Sequence, residues 1–219
     1  MNKQKKKDLM AGIALFGAFL IWTVMIQCVD VKPVGQNETD IGFAGINTWF
    51  HGLTGVHMTI YTVTDWLGLV PIAICMCFGV LGLVQLIKRR SLFKVDRDII
   101  VLGIYYLIVI FAYLFFEMVP INYRPIPIEG IMEASYPSST TLLVLSVMPT
   151  LTYQVRRRVK NDTLRIAIIR AGELFAVLMA LGRTVAGVHW LTDIIGSILL
   201  SFGLFMFYRF FATARNEKN

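Results

Sequence analysis

The run WLGLVPIAICMCFGVLGLVQLI, residues 66–87, carries no charged side chain. About 20 consecutive apolar residues cross the roughly 30 Å hydrocarbon core of a bilayer, whereas a surface helix of a water-soluble domain keeps a polar face. The stretch is read as a membrane span. Outward from it, five more stretches repeat the pattern: 11–28, 99–119 with Glu117 as its one charge, 139–155 directly after Pro137-Ser138, 166–181, and 191–211 with Asp193 near its start. Arg170 and Glu173 lie three apart in the fifth stretch, share a helix face and can pair. The composition agrees: 56% of residues are hydrophobic, 16% are charged, and the mean hydropathy is +0.65. Soluble domains run nearer a quarter charged.

Six spans put both termini on one side. With that layout all but Lys32, Arg124, Arg170 and Arg183 of the 21 lysines and arginines fall on the side of the termini, from Lys3 to Lys7, Lys88 to Arg97, Arg156 to Arg165, and Arg209, Arg215 and Lys218. The positive-inside rule makes that side cytoplasmic. The expected fold is all-α: a six-transmembrane-helix bundle with cytoplasmic N- and C-termini, one membrane-embedded domain over residues 1–219. The net charge of +7 then faces anionic lipid headgroups and not nucleic acid. The basic start and first apolar run resemble a signal peptide but lack a small-x-small cleavage site, so the run is expected to be retained. The absence of an organelle signal points to a bacterial plasma membrane.

Residues 30–65 form a long non-cytoplasmic connection, with short interfacial helices expected at 46–50 and 58–61 and with Trp49 and Trp66 suited to the headgroup zone. Asn37-Glu38-Thr39 matches a glycosylation acceptor, a motif common by chance. His51 and His57, six apart, are a weak metal signal and read better as structural. Cys28, Cys75 and Cys77 lie in or beside apolar runs and read as small apolar filler, not as a disulfide or metal framework.

Chemistry concentrates on the outward side. Arg183 is followed six residues later by His189, and His189 four residues later by Asp193. Residues i and i+4 share a helix face, and an Asp that accepts from one imidazole nitrogen frees the other as a nucleophile or base. Arg124 lies in Asn122-Tyr123-Arg124-Pro125, and Tyr136-Pro137-Ser138-Ser139-Thr140-Thr141 leads into the fourth span. Two guanidinium forks, hydroxyls and a helix N-terminus describe a phosphate cradle.

These residues resemble the type 2 phosphatidic acid phosphatase family, of the acid phosphatase/vanadium haloperoxidase superfamily. Its third motif, Ser-Arg, five residues, His, three residues, Asp, is matched in spacing by Gly182-Arg183 to His189 and Asp193. Its first motif, Lys, six residues, Arg-Pro, is matched at Arg124-Pro125, with Glu117 in place of the Lys. Its second, Pro-Ser-Gly-His, reads here Pro137-Ser138-Ser139-Thr140. The resemblance implies a phosphatase core over about residues 66–211, needing no cofactor or metal. His189 would attack phosphorus to form a phosphohistidine, Asp193 would orient it, and Arg124, Arg183 and Ser138, with Ser139 and Thr140 at the same helix start, would bind phosphate.

The departures leave three readings. The chain is a lipid phosphatase with a relaxed need for a general acid, suited to a diphosphate whose leaving group is weakly basic. Or a substitute acid serves, with Glu117, Glu129, Glu133 and Tyr136 as candidates. Or it is a non-catalytic lipid-phosphate-binding or transport-related protein that keeps the fold. Glu117, seven residues before Arg124, is also placed to pair with that arginine. The lipid tail and the oligomeric state carry no sequence signal.

Overall fold

The computed structural model describes residues 3–213; Arg215 and Lys218 of the basic tail lie outside them. Among the described residues there are α-helices, short 3-10 turns and isolated bridges, and no strand. The helices are α1 (Lys3–Cys28), α2 (Ala44–Thr54), α3 (Met58–Leu67), α4 (Leu69–Arg89), α5 (Arg97–Met118), α6 (Ser139–Arg158), α7 (Asp162–Val185) and α8 (Leu191–Ala212).

Among the described residues, four apolar segments are long enough to cross a membrane: Lys3–Cys28, Met58–Arg89, Arg97–Met118 and Leu191–Ala212. The quoted run 66–87 falls mostly on α4, but its first two residues close α3, and the two helices meet at Gly68. The expected interfacial helices at 46–50 and 58–61 are longer than read, as α2 and α3. The two remaining expected spans are helices, α6 and α7, that fall short of the apolar composition of the others. In α6 the polar groups turn inward: Ser146, Thr150 and Gln154 are all buried. In α7 Arg170 and Glu173 pair on the exposed face at 3.0 Å.

The molecule is apolar on its outside. Ile21, Leu83, Leu107, Phe111 and Leu178 are all more than half exposed. Such a continuous apolar belt is a liability in water and the ordinary surface of an integral membrane protein.

Helix α8 forms the centre, packed against α1, α5 and α6. Gly196 makes one close approach, since a Cβ there would run into the ring of Tyr136, which stacks on Phe19 of α1. Within α6, Pro149 has no N–H to give the preceding turn. Two hydroxyls also bond carbonyls of that turn, Tyr105 to Ser146 at 3.0 Å and Thr150 to Val147 at 2.7 Å.

The two ends of the bundle differ in chemistry. At one end ion pairs tie Arg158 to Asp98 (2.7 Å), Arg89 to Asp96 (2.7 Å) and Arg209 to Asp8 (3.3 Å). These join the C-terminal ends of α4, α6 and α8 to the N-terminal ends of α1 and α5. At the other end the C-termini of α5 and α7 meet the N-termini of α6 and α8, beneath α2, α3 and the loop 119–138.

Candidate functional site

The loop 119–138 is folded on itself as a small ladder. Arg124 N–H donates to the Glu133 carbonyl at 3.1 Å, and Ser135 N–H to that of Asn122 at 2.9 Å. This pairing brings Asn122, Arg124 and Ser135 to one place. The Trp190 indole N–H clamps the loop to the start of α8 by donating to the Tyr123 carbonyl at 2.8 Å.

Arg183 comes from the last turn of α7. The chain then turns through Gly187, at φ +70°, where an added Cβ would meet the backbone of Gly55 between α2 and α3. Only glycine takes that backbone conformation without strain. The turn delivers His189 two residues before α8 begins. His189 and Asp193 therefore do not share a helix face, as their spacing had suggested.

Asp193, fully buried, does not hydrogen-bond to the imidazole; its Oδ2 lies 3.9 Å from Nδ1. Its carboxylate instead accepts from Ser135 Oγ at 2.7 Å, Asn122 Nδ2 at 3.1 Å and the Trp190 backbone N–H at 2.9 Å. A carboxylate in the first turn also suits the positive end of the helix. The partner of His189 Nδ1 is the Ser135 carbonyl, at 3.1 Å. Asp193 thus acts on His189 through Ser135, whose hydroxyl it holds and whose carbonyl orients the ring.

On its other side, His189 Nε2 lies 3.4 Å from Arg124 Nη1 and 3.3 Å from Arg183 Nη2. A guanidinium has only donors, so Nε2 accepts and carries the lone pair, while Nδ1 carries the proton. Burial first, and then the charges of Arg124 and Arg183, hold the His189 pKa well below the usual imidazole value. The result is a neutral histidine, 4% exposed, aimed between two cations.

Both arginines are buried, Arg183 at 1% and Arg124 at 7% exposure. The ring of Tyr61, on α3, lies 4.8 Å from the Arg183 guanidinium and 6.0 Å from that of Arg124. Arg183 Nη1 approaches Thr64 Oγ1 at 3.5 Å and Asp65 Oδ1 at 3.7 Å. Arg183 Nε is buried without a hydrogen-bond partner. Arg124 Nε lies 3.0 Å from Glu133 Oε2 but is not aligned with it as a hydrogen bond. The expected pairing of Arg124 with Glu117 is corrected: the ladder sets Glu133 beside Arg124, while Glu117 stays at the end of α5.

The remaining residues singled out by sequence are placed as follows. Ser138 is buried at the start of α6, its hydroxyl 3.0 Å from that of Thr141. Ser139 and Glu117 line a small recess that also reaches His189 and Ser135. Thr140 points its methyl toward Gly68, at the junction of α3 and α4. Glu129 sits exposed at the tip of the loop ladder, at φ +51°. The Tyr136 hydroxyl is bonded to Thr23 Oγ1 of α1 at 2.7 Å, and burial pushes its phenol pKa upward. Both histidines of the long connection cap backbone: His51 Nε2 meets the Gly187 carbonyl at 3.1 Å and His57 Nε2 that of Thr54 at 2.9 Å. The three cysteines are free. Sequence reading missed Asn122, Ser135, Tyr61, Thr64 and Asp65; the tertiary fold alone brings them to the site.

Residues 100–217 match the family model of the PAP2 superfamily. The chain belongs to that superfamily. It is also similar to a crystal structure described as the first of a transmembrane PAP2-type phosphatidylglycerolphosphate phosphatase, from Bacillus subtilis. The two are 19% identical, with a TM-score of 0.54 over 94% of this chain and 98% of that one, a likeness of fold. Comparison with curated proteins gave no match.

Proposed function

We propose that the chain is a membrane lipid phosphatase that hydrolyses a lipid phosphate or diphosphate at the non-cytoplasmic face through a phosphohistidine on His189. The observation that carries this reading is the convergence of two buried guanidiniums on the lone-pair nitrogen of one neutral imidazole. Buried cations call for an anion, and the carboxylates within reach neutralise them incompletely. A phosphoryl group held by both arginines would present its phosphorus to Nε2. The first N–H groups of α6, at Ser139 and Thr140, add the anion preference of a helix start.

The chemistry then follows as in-line displacement. Nε2 attacks phosphorus, the bond to the leaving oxygen breaks, and the arginines neutralise the charge spread over the equatorial oxygens. The imidazole gains positive charge as the N–P bond forms, and the Ser135 carbonyl on Nδ1–H stabilises it. Water then cleaves the N–P bond and restores the histidine. The proposed topology is six spans with cytoplasmic termini. Its support is the segregation of basic side chains to one end of the bundle and of the phosphate cradle to the other.

One observation favours a second reading, a non-catalytic lipid-phosphate binder. Thr140 offers no acid at neutral pH, the Tyr136 hydroxyl is engaged by Thr23 and Glu133 by Arg124. Purified protein in detergent separates the two. Phosphate release from a lipid phosphate or diphosphate, abolished by His189→Ala, supports the phosphatase. Binding of orthovanadate or lipid phosphate without turnover across a broad panel supports the binder.

A further inference from the structure

The phosphatase reading needs two proton-handling steps, and no residue at the expected positions handles either. Two carboxylates outside the family motifs stand at the cradle, Glu133 beside Arg124 and Asp65 beside Arg183. Asp65, in the last turn of α3, has Oδ1 3.7 Å from Arg183 Nη1, while the other terminal nitrogen of the same guanidinium lies 3.3 Å from His189 Nε2. One cation therefore faces the nucleophile with one nitrogen and a carboxylate with the other. The Asp65 side chain is 58% exposed at the last turn of α3. Its helix is fixed at the site by Tyr61, beneath both guanidiniums, and by Gly68, beside the Thr140 methyl.

We infer that Asp65 is the general base of the second half-reaction, taking the proton of the water that hydrolyses the phosphohistidine; the inference rests on the phosphatase reading above. For this role a phosphoryl group bonded to Nε2 and seated on Arg183 must turn the face opposite the imidazole toward the Asp65 side of the guanidinium. In-line attack brings the water oxygen to about 3–3.5 Å from phosphorus on that face, with its base one hydrogen bond further on. In the step, the water oxygen bonds to phosphorus and the N–P bond breaks. The electron pair returns to Nε2, and the water proton passes to the Asp65 carboxylate and then to solvent.

The residue at the second-motif acid position, Thr140, bears on the substrate class. One residue can give a proton in the first step and take one in the second, so the assignment of Asp65 as base leaves the source of a leaving-group proton open, and Thr140 cannot supply it. A diphosphate needs no such proton, because its leaving group departs as a phosphate. With no acid at Thr140, the substrate class this site favours is a lipid diphosphate, cleaved to a lipid monophosphate and inorganic phosphate. Glu133 is the competing carboxylate. It is bound against Nε of Arg124, on the edge of that guanidinium away from His189, and holds the arginine instead.

The test is rapid-quench kinetics on the full chain in detergent, with farnesyl diphosphate labelled with 32P on its terminal phosphate. Wild-type protein forms a base-stable, acid-labile phosphoenzyme that His189→Ala abolishes. Asp65→Asn is expected to keep the burst of farnesyl monophosphate, to accumulate the phosphoenzyme, and to release inorganic phosphate roughly 10²–10⁴-fold more slowly. Added formate should partly restore release, and Asp65→Glu should retain most of it. Glu133→Gln should raise KM without accumulating phosphoenzyme. Unchanged turnover in Asp65→Asn overturns the assignment alone, as does parallel loss of phosphoenzyme formation and release. Absence of a His189-dependent phosphoenzyme in wild type overturns the phosphatase reading and the assignment with it.

Discussion

Arg183 holds one terminal nitrogen 3.3 Å from His189 Nε2, six residues further along the chain, and the pairing fixes which imidazole nitrogen carries the proton. The guanidinium can only donate, so Nε2 must accept. The Ser135 carbonyl, 3.1 Å from Nδ1, agrees from the other side. A neutral imidazole is thus held with its lone pair aimed between two buried guanidiniums.

Arg183→Lys should lower kcat/KM by about 10²–10³, because an ammonium cannot meet both His189 and a phosphate oxygen with a fixed fork. Orthovanadate inhibition should weaken in parallel. Steady-state kinetics and vanadate titration check both.

Stability should fall on acidification because of His189. Its folded pKa lies well below the unfolded value of about 6.5, so the unfolded chain binds the proton first. The contribution is fully present above that value. It is lost as pH falls below it toward the folded pKa, by at most about 1.4 kcal/mol per pH unit. Thermal melts in detergent between pH 8 and about pH 5 should show this slope, and His189→Asn should flatten it.

Asp193→Ala should destabilise the fold as well as the site. It leaves Ser135 Oγ, Asn122 Nδ2 and the Trp190 N–H without their buried acceptor. Each such donor costs about 1–3 kcal/mol. Asp193→Asn keeps the shape and part of the bonding, so its melting temperature should fall less while its kcat still drops. The contrast between the two variants is read from melts and kinetics on the same preparations.

Gly187→Ala should reduce activity from outside the cradle. A side chain at φ +70° is strained by roughly 1–2 kcal/mol and would press on the Gly55 backbone. The turn that delivers His189 would shift, and kcat should fall more than KM rises.

Thr140→His should raise turnover of lipid monoesters selectively. If the missing acid limits them, the gain is on the order of 10² or more, with little change on diphosphates. A substrate panel compares the two classes directly.

The helices were legible because lipid imposes one rule on every residue of a span, and run length reports it directly. The strain on that rule shows at α6 and α7, where Ser146, Thr150 and Arg170 dilute the apolar signal. The pairing of Arg183, His189 and Asp193 was legible as spacing. Its geometry was not: the reading put His189 on a helix and in contact with Asp193, whereas the Gly187 turn sets it before α8 and gives Nδ1 to a backbone carbonyl.

By itself the sequence determined the apolar segments, the segregation of basic residues and the family motif spacing of Arg124, Arg183, His189 and Asp193, since these depend on local composition and spacing. Only the tertiary structure decided the partners. Glu133 and not Glu117 meets Arg124, because loop 119–138 doubles back. Ser135 and not Asp193 meets the imidazole. Tyr61 and Asp65 reach the arginines because α3 packs across the end of α7. Such contacts join residues far apart in the chain, and no periodicity encodes them.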